Sequence, residues 1–345
     1  MSNPILSSLG YSQAPNYCTH ALEAFAELRE ELPRKLGLPN DLESLLCSLL
    51  TDAIKFLLPD NGYLFEKHDF KPGMFDLLRL PYPICALEFP ATKELHAEQS
   101  GLSHASKRIA LCFDPHQLNA TQLRHLDNLC SGSFLAEAPE QCLAVMAVYE
   151  AEGVWGASVG TLLLDLVNDR PMLRKDASPS DLCHEVAEQI GPRVHEGSTY
   201  GLPVTFKAFF GRARMLGQSA EEATRNLYID TIDEIRTAFE FLAAINCSNV
   251  GTQDIAAPKM LNEKRKKKGK PLFYPYKVLD LSLPKAAGAP TGANGTHASP
   301  RAHLRRGHVR QLGAQHGNKV LWINATMVNA RTGHEPVTTV YKVKT

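Results

Sequence analysis

The chain lacks a hydrophobic run long enough to cross a bilayer. Its nearest approach, Val154 to Val167, is too short and is broken by Gly156, Gly160 and Asp165, whereas a spanning helix needs about 20 apolar residues. Met1 to Gln13 shows no basic start followed by an apolar stretch, so no secretory leader is expected. Membrane insertion is therefore not expected. Among the eight cysteines none is paired as C-x-x-C, and most sit among apolar neighbours, as in Pro83-Ile84-Cys85-Ala86-Leu87. Structural zinc needs clustered thiolates, so these cysteines read as small buried hydrophobes in a reducing compartment, the cytoplasm. No cofactor is expected.

Acidic residues are scarce in one part of the chain only. From Lys259 to Thr345 there are 17 basic residues against three acidic ones (Glu263, Asp280, Glu335), a net +14. The first 258 residues hold 20 basic and 34 acidic residues, a net −14, so the balance of 37 against 37 hides a division. Such asymmetry points to a nucleic-acid or membrane module attached to an ordinary body. Two units are expected: an acidic α+β body over 1–257 and a basic β-rich module over 258–345. A hydrophobic content of 44% with 21% charged residues suits a folded chain.

The body opens with two amphipathic patterns. Tyr17 to Leu36 places Leu22, Phe25, Ala26, Leu28 and Leu32 near one face. Asn40 with Glu43 resembles a capping box for a second helix. Its stripe runs from Leu45 through Ile54, Leu57 and Leu58 and is stopped by Pro59. Ile84 to Phe89, Arg108 to Phe113 and Leu143 to Tyr149 read as strands of one central sheet, and Ser219 to Ile245 as a long bracing helix. The fold class is thus α+β. Glu88, Asp114 and Glu150 lie at or near the ends of the three runs. Carboxylates at neighbouring strand ends can hold a divalent metal, as nucleases require. The plainer reading is that polar residues mark where strands leave the core. His184-Glu185 in Ala177 to Gly201 falls short of a zinc-protease motif, because Glu188 stands where the second histidine belongs.

In the basic module Lys264, Arg265, Lys266, Lys267, Lys268 and Lys270 pack six cations into seven positions. A run that repels itself reads as an exposed loop or arm: a solvated loop, a localisation patch or a phosphate-contacting arm. Leu272 to Leu283, Lys319 to Met327 and Thr338 to Lys344 are strand-like, and Ala286 to Pro300 reads as a flexible loop. Arg301, His303, Arg305, Arg306, His308 and Arg310 fall within ten residues, and alternation puts Arg306, His308 and Arg310 on one strand face. The module reads as a small, mostly antiparallel sheet with a cationic face. Arginine forks match phosphates, and Trp322, Tyr274 and Tyr276 can stack on bases, so RNA or DNA is the expected partner. An acidic protein is the alternative partner of this module, a basic surface without a partner is the plainer reading, and a third is an adaptor whose acidic body contacts a host protein. A basic amphipathic helix, which a membrane surface would require, is not expected here. His303 and His308, with ordinary pKa values of about 6.5, also suit general acid and base of a metal-independent ribonuclease, with the arginines holding the phosphate.

The segments Asn262-x-x-Arg265-x-x-Lys268-Gly269-Lys270-Pro271, Tyr276-x-Val278-Leu279 and His303-x-x-Arg306-Gly307-His308-x-Arg310 with Trp322 resemble the C-terminal signature of a family of phage and prophage proteins. Leu80-Pro81-Tyr82-Pro83 with Leu87-Glu88 is similar to the body of the same family, and the resemblance spans about a quarter of the chain. It implies a phage-associated protein acting in a bacterial cell and carries no activity with it.

Overall fold

The computed structural model describes residues 4–37, 39–64, 77–92, 105–130, 133–138, 140–158, 160–165, 202–205, 219–281, 303–305, 308–313, 315, 317, 319–323 and 326–328. The His184-Glu185 segment, the 286–300 loop, Arg301, Arg306 and the strand expected at 338–344 lie outside the described residues.

The helices are α1 (Pro4–Ser8), α2 (Tyr17–Glu31), α3 (Asp41–Asp52), α4 (Ala120–Leu129), α5 (Phe134–Glu137), α6 (Ala220–Ile245) and α7 (Lys259–Lys267). The strands are β1 (Ile54–Leu57), β2 (Ile84–Pro90), β3 (Ala105–Phe113), β4 (Cys142–Ala151), β5 (Val154–Ala157), β6 (Gly160–Asp165) and β7 (Leu202–Thr205). They continue with β8 (Gly251–Ile255), β9 (Tyr276–Asp280), β10 (His303–Arg305), β11 (His308–Gln311), β12 (Val320–Ile323) and β13 (Thr326–Val328). A nine-stranded mixed sheet runs β7-β6-β4-β3-β2-β1-β9-β8, with β5 paired to β4, and β1 lies parallel to both β2 and β9. The α+β class and the central sheet are as expected.

Strands β2 to β4 are buried on both faces, which is why they read as continuous apolar runs rather than alternating ones. The pleat sends Ile84, Ala86, Ile109, Leu111, Ala144 and Met146 into a core with α2 and α3. Cys85, Leu87, Phe89, Ala110, Cys112 and Val145 go to the opposite core, filled by Ile235, Ala238, Phe239, Phe241 and Leu242 of α6. The bracing helix is therefore one outer layer of the sandwich. Its polar residues are matched as well: Glu234 is held by both oxygens on Arg108 of β3 at 2.8 and 3.0 Å, and Glu240 accepts from the Leu64 N–H at 2.7 Å.

Three local expectations are corrected. The second helix stops at Asp52, and Ala53 turns to extended geometry, so Ile54 to Leu57 form β1 instead of the last turns. A β-branched and an aromatic residue that can pair on both sides favour the ladder over one more helical turn. Asn40 makes no side-chain cap; its amide donates to the Arg29 carbonyl at 2.8 Å, closing the turn between α2 and α3. The cationic run, expected as a loop, is helical as far as Lys267.

Within 272–283 the ladder residues are Tyr276 to Asp280. They lie inside the central sheet, between β1 and β8, so the charge step at Pro258 does not coincide with a break in that sheet. Two-stranded antiparallel pairs follow, β10 with β13 and β11 with β12. The second is attached to the body. Ser248 N–H donates to the Val320 carbonyl at 2.8 Å, and Asn249 exchanges two 2.6 Å bonds with the Trp322 backbone.

Candidate functional site

A nine-residue helix with nothing buried is marginal by itself, so α7 needs identifiable supports. Its C-terminus provides two. Lys264, Arg265, Lys266 and Lys267 all fall in the last turn, where cations complement the negative end of the helix dipole. Gly269, at φ +65°, then closes a Schellman motif: its N–H donates to the Lys266 carbonyl at 3.1 Å, and the Lys270 N–H to that of Arg265 at 3.0 Å. The left-handed conformation there is what makes glycine the fitting residue.

The body provides the rest through two side chains three positions apart. Asn262 donates to the Phe273 carbonyl at 2.9 Å and accepts its N–H at 2.8 Å. Arg265 bonds the Glu23 carboxylate of α2 at 2.6 Å, donates to the Pro271 carbonyl, and lies 4.3 Å over the Phe273 ring. Thr19 of α2 fastens the following segment by donating to the Leu272 carbonyl at 3.1 Å. On a helix, residues spaced three apart share a face. Asn262 and Arg265 are the half-buried positions of α7 and the others are exposed. Met260, Lys264 and Lys267, spaced four and three apart, therefore form the ridge furthest from the body. Lys266 and Lys268 flank it, both exposed, and Lys270 follows within 3.7 Å of Glu23.

Five of the six residues in the cationic cluster thus project into solvent from a rigid support, while Arg265 is committed to holding it. Sequence reasoning missed the anchors Asn262 and Glu23, and it missed the exposed Met260 (76%) and Leu261 (49%). The available signal was a glycine directly after a run of cations with an Asn and an Arg at i, i+3, the pattern of a capped helix end.

The other candidates are dispersed. Arg310 is exposed on β11. His303 and Arg305 lie on β10, whereas His308 lies on β11, so the two histidines belong to different strand pairs. Trp322, a candidate for stacking, is only 4% exposed and packs with Ala243, Ala244 and Cys247. Tyr276 is buried as well, and the Lys55 ammonium sits 3.6 Å over the Tyr274 ring.

Glu88, Asp114 and Glu150 are not brought together. Strands β2, β3 and β4 alternate in direction, so Asp114, just after Phe113, lies at the end of the sheet where Ile84 begins. Glu150 lies at the other end, opposite Lys107. Each carboxylate is also engaged. Glu88 is fully buried and accepts from the Tyr17 N–H (2.8 Å), the Cys18 N–H (2.9 Å) and the Tyr276 hydroxyl (2.8 Å). Burial pushes its pKa up, against the pull of the Cys18, Tyr276 and Tyr17 bonds. Asp114 accepts from the His116 N–H at 2.9 Å and from the Gln117 amide at 2.7 Å. Glu150 meets the Lys107 ammonium at 2.6 Å, which holds its pKa below the usual carboxylate range. Among the described residues no group of three or more His, Cys, Asp or Glu is placed to hold a metal ion.

Comparison with known proteins gives one positive result. Residues 67–330 match the family model AcrVA2-like, described as the anti-CRISPR type V subtype A2 family. The match covers well over half the chain and takes in every element from β2 to β13, α7 included. No curated protein and no solved structure matches.

Proposed function

The chain belongs to the AcrVA2-like anti-CRISPR family, and from that premise we propose that it blocks type V CRISPR interference by gripping the phosphates of a nucleic acid with helix α7. The family is one of phage and mobile-element proteins, so the setting is the cytoplasm of an infected bacterial cell. The observation that carries the reading is the fixed presentation of Lys264, Lys266, Lys267, Lys268 and Lys270 around anchors Asn262 and Arg265. Ordering a flexible lysine arm on binding costs free energy, and a preformed helix avoids most of that cost. The nucleic acid is RNA or DNA.

The test is a plasmid-interference assay in a strain carrying a type V system. The wild-type chain should protect the targeted plasmid. A variant combining Lys264→Gln, Lys266→Gln, Lys267→Gln and Lys268→Gln should lose protection while its melting temperature stays within a few degrees, because these side chains are exposed and glutamine suits a helix about as well as lysine. Full protection by that variant would defeat the proposal. A second reading, an adaptor that contacts a host or Cas protein, is favoured by the exposed Met260, Leu261 and Leu272 beside the same lysines. Under it, Met260→Asp with Leu261→Asp would abolish protection while nucleic-acid affinity persisted.

A further inference from the structure

We infer that α7 contacts a duplex backbone without reading or stacking bases, so that its contribution to affinity is independent of sequence. This rests on the phosphate-gripping role proposed above and narrows it. Base edges in the major groove are read chiefly by Arg or Lys on guanine, Asn or Gln on adenine and Glu or Asp on cytosine. The two side chains of α7 with a planar, two-pronged group of donors or of donor and acceptor, one Arg and one Asn, are both withdrawn. Asn262 spends its amide nitrogen and oxygen on the Phe273 backbone, and Arg265 spends its guanidinium on Glu23 and the Pro271 carbonyl. What faces outward is mostly lysine, a point charge on a flexible stem with no planar fork, together with Met260, Leu261 and the single carboxylate Glu263.

Stacking is withdrawn in the same way. Binding of single strands relies on aromatic platforms for successive bases. The aromatics around α7 are already covered: Phe273 by Arg265, Tyr274 by Lys55, and Tyr276 by burial in the sheet. A cationic ridge without free aromatics and without a free planar base reader fits the polymer with the densest phosphate charge, which is a double helix rather than a single strand. Lys264 and Lys267 are separated by about 4.5 Å of helix axis, close enough to bear together on neighbouring phosphates of one backbone. The shared chemistry is the duplex phosphodiester backbone, and DNA and RNA duplexes are separate arms of the test.

The experiment titrates the full-length chain against labelled duplexes of several unrelated sequences, as DNA and as RNA, and against a single-stranded oligothymidine, across a salt series. The comparison is wild type against Lys264→Ala/Lys267→Ala, with melting temperature as the folding control. Expected is a loss of affinity by the same factor, within about threefold, for every duplex sequence, with the log–log salt slope shallower by up to about two. Weaker binding to oligothymidine than to duplex is also expected. A loss confined to one sequence, or tighter binding to the single strand, would overturn the inference and leave the phosphate-binding proposal standing, whereas no change in the double variant would overturn both. Failure of the wild-type chain to bind any nucleic acid would sink that proposal itself.

Discussion

Replacing Glu88 by alanine tests whether this carboxylate is part of the fold or a reagent. Asn16, which precedes α2, has φ 54° and makes no side-chain cap, so the first N–H groups of the helix need a partner from elsewhere. Glu88 supplies it from β2, 70 and 71 residues along the chain, and accepts the Tyr276 hydroxyl of β9 with the same carboxylate. Alanine would leave three buried donors without an acceptor. Each orphaned donor costs about 1–3 kcal/mol, so the loss should be about 4 kcal/mol, a large share of the ~5–15 kcal/mol that holds a folded domain together. Glu88→Gln keeps the shape and one acceptor oxygen but turns an N–H toward the helix start, and should cost about half as much. Urea unfolding followed by far-UV circular dichroism reads both. A second sign comes from pH. The folded-state pKa of Glu88 is raised, so the native state binds this proton more tightly than the unfolded chain does. Its contribution is then greatest below the ordinary carboxylate range and declines as pH rises through the raised value, a decline that Glu88→Gln should remove. A cost below about 1 kcal/mol for Glu88→Ala would refute the capping role, and divalent-metal protection of the wild type lost in that variant would revive the metal reading.

The remaining predictions concern the support of α7 and the sheet. Gly269→Ala should destabilise the chain by about 1 kcal/mol through its positive φ alone, since nothing lies within 4 Å of the added methyl; no shift in melting temperature would contradict the Schellman end. Arg265→Met should weaken duplex binding even though this arginine touches no phosphate, by freeing α7 from Glu23; helix loss seen by hydrogen exchange over 259–267 would accompany it, and unchanged exchange would refute the anchor. Lys107→Met should flatten the acid limb of the stability profile. Glu150, held low by that ammonium, contributes stability above the ordinary carboxylate range that is lost as pH falls through its lowered pKa, and an unchanged limb would contradict the pairing. A chain cut after residue 257 should fail to give a cooperative unfolding transition, because it removes β9 from between β1 and β8; a cooperative, soluble 1–257 would show that the body folds without it.

The parts of this fold that were legible before any coordinates were those whose signal is local. Strands β2, β3 and β4 announce themselves because double-sided burial leaves uninterrupted runs such as Ile84 to Phe89. The 26-residue α6 does so because its apolar stripe repeats for seven turns. Illegible features were those decided by partners distant in sequence. Ile54 to Leu57 carry a helical spacing, yet two parallel neighbours, one of them more than 200 residues away, draw them into a ladder. Glu88 has the look of a strand-end polar residue, and only a helix start 70 residues upstream explains its burial.

The cationic run carries the most instructive difference, because the argument from self-repulsion was sound but incomplete. Repulsion among Lys264, Lys266, Lys267 and Lys268 is screened at an exposed surface, and each of these charges also interacts favourably with the helix terminus it sits on. Gly269 satisfies the last carbonyls, Asn262 ties the helix to the segment that follows it, and Arg265 ties it to α2. Summed, these terms tip the segment toward helix, although repulsion alone would extend it. The same balance of terms supports the role proposed for the segment. A solvated tail gains nothing from anchors, whereas a binding surface gains preorganisation, and the one Arg and the one Asn of the helix are the two residues that hold it in place. The charge excess that sets the last 87 residues apart is thereby converted from a compositional bias into an oriented row of lysines, the arrangement that a phosphate backbone can meet without regard to its sequence.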